Sequence, residues 1–334
     1  MTKLEMESVK RVASLPYDWS RFNNKVLLIS GGTGFIGSFL IKVLRYRVDY
    51  FGNKIKVVSL SRRGGVSDDY LENLATDVCN PIGYVAPVDF ILHLASNTHP
   101  KQYAEDPIGT ILTNIDGCNN LLKLASEKKA RFLLASSVEI YGQGTEKPMD
   151  EHYCGYIDCN QARAGYNEAK RTCEALTQSY RQRFGIDAVI ARLARVFGPD
   201  KKKDTKAMSQ FMDKAVLGDE IVMKSYGEQR YSYVYIADAV SALIKIILDG
   251  EAYNISDDDD GRTLRGYAEY LATLSNQKVK FEIEDNSAVS KATFALMDTA
   301  KLKALGWMPL YTVCQGLKET YTIKQQENTD STRR

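Results

Sequence analysis

Long apolar runs, paired histidines and an excess of charge of one sign are all missing from this 334-residue sequence. No stretch of about 18 consecutive apolar residues occurs, so no membrane-spanning helix is expected. Lysine and arginine number 44 against 42 for aspartate and glutamate. This balance predicts binding neither to nucleic acid nor to a membrane surface. The three histidines and six cysteines complete no zinc-binding spacing, so no metal site is predicted.

The cysteines are scattered, and only Cys154 and Cys159 lie close together. Scattered thiols are typical of a reducing compartment. The N-terminal stretch contains no apolar core like that of a signal peptide. The sequence therefore predicts a cytoplasmic protein.

Apolar strands alternate with amphipathic helices along the chain. Buried strands are predicted at 25–30, 54–61 and 88–96, and a long helix at 106–129. This alternation is typical of an α/β fold with a parallel, doubly wound sheet, the Rossmann architecture. After residue 197 the elements become shorter, which favours a smaller, mixed α/β lobe over the carboxyl edge of the sheet.

The loop after the first predicted strand is rich in glycine. Gly31, Gly34 and Gly37 lie between the strand at 25–30 and the following helix. Glycines let such a turn tighten and let backbone amides approach a pyrophosphate, which the helix N-terminus then stabilises. At the first strand of the sheet, this pattern predicts dinucleotide binding.

The end of the second strand decides between NAD and NADP. An acid there would bind the ribose of NAD, but Ser61, Arg62 and Arg63 occupy these positions. Arginines in place of an acid suit a 2′-phosphate and favour NADP slightly over NAD. Asp77 follows at a position suited to the adenine amino group.

Two later stretches carry reactive side chains. Ser137 and Glu139 follow an apolar run, at the strand end where open α/β sheets bind their ligands. Tyr166 and Lys170 are four positions apart and so share one helix face. An ammonium beside a phenol favours the phenolate, a general base that can take a proton from a sugar hydroxyl.

Together these motifs resemble the extended short-chain dehydrogenase/reductases, and among them the NAD-dependent epimerase/dehydratase family. The matching stretches run in the family's order from 25 to 325 and include GGTGFIG, HLAS, SSVEIYG, YNEAK, RVFGP and YVYIADAV. The resemblance implies that Ser137, Tyr166 and Lys170 are catalytic. It also implies a nucleoside-diphosphate sugar, most often UDP-linked, as substrate, and a homodimer formed by two long helices.

The expected domains are an N-terminal extension over 1–24, a coenzyme-binding domain over 25–196 to which 231–250 returns, a substrate-binding lobe over 197–230 and 251–325, and a disordered tail over 326–334. The resemblance implies a coenzyme site formed by Gly31, Thr33, Gly34, Phe35, Ile36, Gly37, Ser61, Arg62, Arg63, Asp77, Val78, Leu94, Ala95, Ser96, Asn114, Tyr166 and Lys170. It implies a substrate site that includes Arg163, Arg195, Lys206, Arg230 and Tyr231.

Details of the motifs are most similar to the UDP-glucuronate decarboxylase-like branch. That branch carries a Glu two residues after the catalytic Ser and an Arg three residues before the Tyr, and this chain has Glu139 and Arg163 there. The simple 4-epimerases usually have a small residue in place of the Glu. Two positions depart from the family: relatives have Asn where this chain has Arg195, and many have Arg where it has Tyr231.

The expected reaction is transient oxidation of the sugar at C4 by a recycled NAD(P), followed by decarboxylation or dehydration in which Glu139 handles protons near C5. A 4-epimerase, which needs no such acid, and a plain NADP-dependent reductase are the alternatives. For Glu139 the alternative interpretation is a residue that only orders its loop. A non-enzymatic coenzyme-binding regulator would have no need of Ser137, Tyr166 and Lys170 together.

Overall fold

A computed structural model gives the structure of the chain and describes residues 2–96, 105–200, 206–258, 261–283 and 293–332. The strands in these ranges are β1 (Lys25–Ser30), β2 (Ile55–Ser61), β3 (Leu71–Ala75), β4 (Phe90–His93), β5 (Arg131–Ser137), β6 (Ala188–Leu193), β7 (Arg195–Phe197), β8 (Ile221–Met223), β9 (Arg230–Tyr231), β10 (Tyr233–Tyr235), β11 (Ala252–Ile255), β12 (Val279–Phe281) and β13 (Phe294–Ala295). The helices are α1 (Lys3–Ala13), α2 (Phe35–Phe51), α3 (Pro107–Lys128), α4 (Ala164–Phe184), α5 (Ala207–Leu217), α6 (Ile236–Asp249), α7 (Leu264–Ser275), α8 (Ala300–Ala304) and α9 (Val313–Thr332).

Seven strands form the central sheet in the order β11-β6-β5-β4-β1-β2-β3. All neighbouring strands in it are parallel. The order reverses between β1 and β4, and in open α/β sheets ligands bind in the crevice outside the carboxyl ends of the strands at such a reversal. The doubly wound parallel sheet predicted from the sequence is confirmed, and its crevice lies beside the glycine-rich turn.

Helices cover both faces of the sheet because its strands are apolar on both sides. In β5, Phe132 and Leu134 belong to one buried cluster and Leu133 to the other, as expected from side chains that alternate along a strand. The α2 and α6 helices pack on the face of Leu133, whereas α3 and α4 pack on the opposite face. The strand that ends at Ser137 is therefore fixed from both sides.

The smaller lobe is built from α5, α7, α9 and short parallel strand pairs. Its own apolar cluster includes Phe211, Met212, Leu271 and Leu317. The β10 strand pairs with β7 and leads directly into α6, which packs on the main sheet. This connection holds the lobe over the carboxyl edge of the sheet.

Three segments differ from the expectations. The α1 helix buries Val9 and Val12 in the core shared with α2 and α6, so 1–24 is more than a lead-in. The β11 strand, expected in the substrate lobe, is the edge strand of the main sheet beside β6. The α9 helix extends to Thr332, so a disordered tail from 326 is wrong for 326–332. The polar residues there include Gln and Glu, which favour helix once a packed helix leads into them. No helix in the described ranges is long and apolar enough to cross a membrane.

Candidate active site

The glycine-rich turn joins β1 to α2 and has room only for glycine at two positions. Gly31 has a φ of 75°, and a Cβ atom on it would lie 2.9 Å from the backbone nitrogen of Ala95. A Cβ atom on Gly37 would lie 2.3 Å from the carbonyl oxygen of Gly31. Gly34 then caps the N-terminus of α2. The turn therefore has no side chains at these positions, which lets a dinucleotide pyrophosphate approach the N-terminus of α2 closely.

A cavity of about 590 Å³ extends from this turn to the smaller lobe. Its lining is rich in basic side chains: Arg62, Arg163, Lys170, Arg195, Lys206 and Lys324. Among the residues that the structure describes, the carboxylates that line it are Glu139 and Asp200. An excess of positive charge in a concave site attracts anionic ligands. The cavity therefore suits compounds that carry phosphate or carboxylate groups.

The coenzyme residues expected from the sequence divide into two groups. One group lines the cavity: Gly31, Gly34, Phe35, Ile36, Gly37, Arg62, Leu94, Ser96, Tyr166 and Lys170. The other group lies outside the lining described for it: Thr33, Ser61, Arg63, Asp77, Val78, Ala95 and Asn114.

Two residues of the second group, Asn114 and Asp77, interact with residues of the first group. Asn114 on α3 accepts a hydrogen bond of 2.8 Å from the hydroxyl of Ser96. Asp77 accepts one of 3.0 Å from the backbone nitrogen of Cys79, and this bond is the main reason that the pKa of Asp77 lies below its ordinary value. Nearby positive charge on Arg62 lowers the pKa of Asp77 further. Asp77 therefore carries its negative charge near Arg62, the arginine that is predicted to select the coenzyme.

The expected catalytic residues lie together on the wall of the cavity between β5 and α4. Ser137 ends β5, and its hydroxyl accepts a hydrogen bond of 3.2 Å from the backbone nitrogen of Glu139. Tyr166 lies in the first turn of α4 and is buried. Lys170 is one turn further on, with its Nζ atom 6.0 Å from the centroid of the Tyr166 ring. Burial lowers the pKa of Lys170 below its ordinary value.

Beneath Lys170, a buried histidine remains uncharged. The ring of His93, at the end of β4, lies 2.8 Å from the hydroxyl of Ser30 on β1. Burial, and then the charge of Lys170, lower the pKa of His93 to about 3. A neutral imidazole leaves Lys170 as the cation at the base of the site. His93 directly precedes Leu94, which lines the cavity. It therefore lies where the strand order of the sheet reverses between β1 and β4.

Glu139 points into the same cavity and contacts two other elements. Its Oε1 atom lies 3.6 Å from Nη2 of Arg195 on β7. Asn167 of α4 donates through Nδ2 to the carbonyl oxygen of Glu139 at 2.9 Å and to its Oε2 atom at 3.3 Å. Asn167 was not predicted as a site residue, although it directly follows Tyr166 in the same motif. A carboxylate so held beside Ser137 can accept or donate a proton at a bound sugar.

The expected substrate residues reach the cavity with one exception. Arg163, Arg195, Lys206 and Tyr231 line it, but Arg230 does not. Successive side chains of a strand point to opposite faces, so Tyr231 and Arg230 in β9 cannot both face the cavity. The guanidinium of Arg195 lies 3.8 Å from the centroid of the Tyr231 ring. The structure thus brings together the two positions at which this chain departs from the family pattern.

The last helix supplies a wall of the cavity that sequence patterns did not reveal. Leu317, Thr320 and Lys324 of α9 line the cavity. Lys324 is paired with Asp213 of α5 at 2.8 Å, which fixes α9 against the lobe. These residues belong to no motif and lie far in sequence from the catalytic residues. The helical spacing of 317, 320 and 324 was the available signal, since positions three and four apart share one face.

Comparison with known proteins identifies a family and several similar folds. Residues 27–256 match the model of the NAD-dependent epimerase/dehydratase family. The chain is 31% identical over 301 residues to UDP-glucuronic acid decarboxylase 3 of Arabidopsis thaliana, which covers 88% of this chain and 87% of the relative. Its fold is similar to that of UDP-glucose 4-epimerase of Thermotoga maritima, with a TM-score of 0.75, 21% identity and coverage of 91% and 99% of the two chains. It is also similar to that of a dTDP-glucose 4,6-dehydratase of Streptomyces venezuelae, with a TM-score of 0.76, 21% identity and coverage of 92% and 98%. The chain belongs to the NAD-dependent epimerase/dehydratase family.

Proposed function

We propose that this protein is a nucleotide-sugar decarboxylase that oxidises its substrate at C4 before carbon dioxide leaves from C6. The observation that carries the proposal is the position of Glu139, which faces the cavity beside Ser137 and is held by Asn167 and Arg195. The similarity to UDP-glucuronic acid decarboxylase 3 of Arabidopsis thaliana supports the same substrate class.

The residues of the chain fit the coenzyme that the family uses. The glycine-rich turn provides the pyrophosphate cradle, and Arg62, Leu94 and Ser96 line the cavity beside it. A bound nicotinamide supplies the acceptor for the hydride from C4 and returns it later. Each of the other tasks falls to the protein's own side chains.

In the first step, Tyr166 takes the proton of the 4-hydroxyl. The Ser137 hydroxyl lies at the end of β5, where it can hydrogen-bond the same sugar oxygen. The buried ammonium of Lys170 stabilises negative charge on the tyrosine oxygen. General-base catalysis of this kind contributes about 10²- to 10⁴-fold to a rate. The product of this step is a 4-ketosugar.

In the second step, a C6 carboxylate becomes the leaving group because it is now β to a ketone. The C5–C6 bond breaks, carbon dioxide departs, and the electron pair moves into an enolate at C5 and C4. C5 then takes a proton, for which Glu139 is positioned. A hydride returned by the bound coenzyme would then restore the alcohol at C4.

The alternatives differ from this reaction after the first step. A 4,6-dehydratase would lose water from C6, and a 4-epimerase would return the hydride to the other face of C4. The dehydratase acts on a hydroxymethyl group at C6, which brings no acid group to Arg195, and the epimerase needs no proton transfer near C5 by Glu139. A plain reductase would exchange its coenzyme in every cycle, whereas an internally recycled coenzyme remains with the purified protein.

Three finer features are part of the proposal. Arg62, at the end of β2 and lining the cavity, supports NADP over NAD. Exposed apolar side chains on α3, Ile108 and Leu112, support a homodimer formed by α3 and α4. The six cysteines, which form no disulfide in the described residues, support a reducing, cytoplasmic location.

The test is a panel of nucleotide sugars incubated with the purified protein, with the products analysed by mass spectrometry. We expect UDP-glucuronate to yield a product lighter by one carbon dioxide and UDP-glucose to remain without water loss. Inversion at C4 without mass change, found by nuclear magnetic resonance, would favour the epimerase instead. Release of the bound coenzyme in each cycle would favour the reductase.

A further inference from the structure

Arg195 and Glu139 occupy equivalent positions on neighbouring parts of the fold. Ser137 of β5 pairs in register with Leu193 of β6. Glu139 comes two residues after Ser137, and Arg195 comes two residues after Leu193. Arg195 therefore lies at the reacting end of the cavity, next to the catalytic serine.

The guanidinium of Arg195 is held in place by an aromatic ring. It lies 3.8 Å from the centroid of the Tyr231 ring, and the Tyr231 hydroxyl is 2.7 Å from the hydroxyl of Thr293. Stacking on a ring fixes the plane of a guanidinium and lowers the entropy that it loses on binding a ligand. The Arg195 side chain is only 26% exposed. Arg195 is thus a preorganised cation and not a freely moving surface side chain.

Part of this cation has no partner. The Nη1 atom of Arg195 is buried and has no hydrogen-bond partner among the described residues. The contact with Glu139 does not replace one, because 3.6 Å between Nη2 and Oε1 exceeds hydrogen-bond length. A buried donor without an acceptor leaves the guanidinium incompletely satisfied by the protein. The exposed part of the guanidinium lines the cavity beside Glu139, so a ligand anion can contact it there.

We propose that Arg195 is a specificity-determining residue that binds the carboxylate of a uronic acid substrate. This inference rests on the proposed function and names the group that this site selects. A planar guanidinium matches a carboxylate with two parallel hydrogen bonds. It would also neutralise the repulsion between the substrate carboxylate and Glu139, since both would face the same cation.

Other basic side chains line the cavity on the side of the smaller lobe. Lys206 directly precedes α5, and Lys324 lies in α9, where it is paired with Asp213. Arg195 instead follows the strand that pairs with the one carrying Ser137. A neutral hydroxymethyl group at C6 would bring no anion to the side of Arg195 that lines the cavity. Sites that leave a buried polar group unpaired reject the wrong ligand strongly.

The experiment compares the binding of UDP, UDP-glucose and UDP-glucuronate by calorimetry. The proteins are the unmodified protein, Arg195→Gln, Arg195→Lys and the control Arg265→Gln. Arg265 is an exposed arginine of α7, paired with Glu269 and outside the cavity lining. Its substitution removes the same charge elsewhere and should leave all three affinities unchanged. Thermal unfolding verifies that each variant is folded.

We expect the unmodified protein to prefer UDP-glucuronate to UDP-glucose. Arg195→Gln should lower the affinity for UDP-glucuronate by about 10- to 100-fold, the value of a hydrogen bond to a charged group. The affinities for UDP and UDP-glucose should not change. Arg195→Lys should retain part of this preference because it keeps the charge but not the planar fork. If Arg195→Gln does not fold, the preference of Arg195→Lys for UDP-glucuronate over UDP-glucose can still be compared with that of the unmodified protein.

Three results would overturn the inference while leaving the proposed function in place. They are equal binding of UDP-glucose and UDP-glucuronate by the unmodified protein, an equal loss for all three ligands in Arg195→Gln, and no loss for any of them. An equal loss of affinity for all three ligands would mean that Arg195 binds the diphosphate, which the three ligands share. Failure of the unmodified protein to bind any of the three ligands would instead refute the proposed function, and with it this inference.

Discussion

The buried ammonium of Lys170 donates a hydrogen bond of 2.9 Å to the carbonyl oxygen of Ala135, two residues before Ser137 on β5. This bond joins the helix that carries Tyr166 to the strand that carries Ser137. Since both elements are packed in the core of the coenzyme-binding part, the distance between the hydroxyls of Ser137 and Tyr166 is set before any ligand arrives. Preorganised positions of this kind are what proton transfer in a site requires.

Replacement of Tyr166 by phenylalanine removes only the proposed base. We expect Tyr166→Phe to keep its fold and its coenzyme affinity but to lose turnover by about 100-fold or more, the usual contribution of a general base. The control is Tyr180→Phe on the same helix, where the lost hydroxyl bonds Asn119 and not a ligand. Product formation by Tyr166→Phe at a near-normal rate would show that another group takes the proton.

Replacement of Glu139 by glutamine separates the two chemical steps. Glu139→Gln keeps the size of the side chain and loses its ability to accept a proton. On addition of substrate, the nicotinamide absorbance should still change, because oxidation at C4 depends on Tyr166 and Lys170. Formation of decarboxylated product should then slow by about 100-fold.

The matched control is Glu168→Gln, an acid of α4 that is paired with Arg171 and lies outside the cavity lining. It should leave both steps unchanged. If Glu139→Gln releases product at the normal rate, Glu139 only orders its loop and the 4-epimerase becomes the better proposal.

Coenzyme choice should depend on one arginine of the pair at 62 and 63. Arg62 lines the cavity, whereas Arg63 does not. In titrations we expect the unmodified protein to bind NADP more tightly than NAD. Arg62→Ala should lose about tenfold or more in NADP affinity, the value of a charged hydrogen bond, while Arg63→Ala loses little. Equal or tighter binding of NAD by the unmodified protein would contradict the preference.

The neutral His93 should make the protein less stable in acid. In the unfolded chain a histidine takes up its proton near pH 6.5, but the folded His93 stays neutral down to about pH 3. The unfolded state therefore binds more protons in this window, and stability must fall as pH decreases. Where the unfolded state binds one proton more than the folded state, the free energy of unfolding falls by about 1.4 kcal/mol for each pH unit.

Urea unfolding of the unmodified protein and of His93→Asn at several pH values between 4 and 7 measures this contribution. The difference in unfolding free energy between the two proteins should shrink as the pH falls, since only the unmodified protein carries the histidine. Above pH 7 the difference should be constant. Parallel profiles over the whole range would mean that His93 has the same pKa in the folded and the unfolded state.

The family and the sheet could be predicted from the sequence because their signals are local. The glycines at 31, 34 and 37 follow a buried strand, and Tyr166 and Lys170 share a helix face, so short motifs were sufficient. Both the family and the doubly wound sheet are confirmed. The predicted roles of the site residues remain predictions, although most of these residues line one cavity.

The incorrect predictions concern residues whose positions depend on contacts with distant parts of the chain. Arg230 and Tyr231 are adjacent in sequence, and only the pairing of β9 with β13 determines which of them faces the cavity. The β11 strand joins the main sheet through β6, some 60 residues earlier in the chain. The contribution of α9 depends on its packing against α5 and α7, and its polar end resembles an unstructured tail in composition alone.

The wall formed by α9 has a consequence for how the protein is made. Ribosomes release a chain from its N-terminus, and the parts that can fold generally do so in that order. All seven strands of the main sheet, and the glycine-rich turn, emerge before α9 does. During synthesis the crevice for the dinucleotide is therefore assembled while the cavity above it is still open on one side. The side of the cavity lined by Leu317, Thr320 and Lys324 is the last part to be completed.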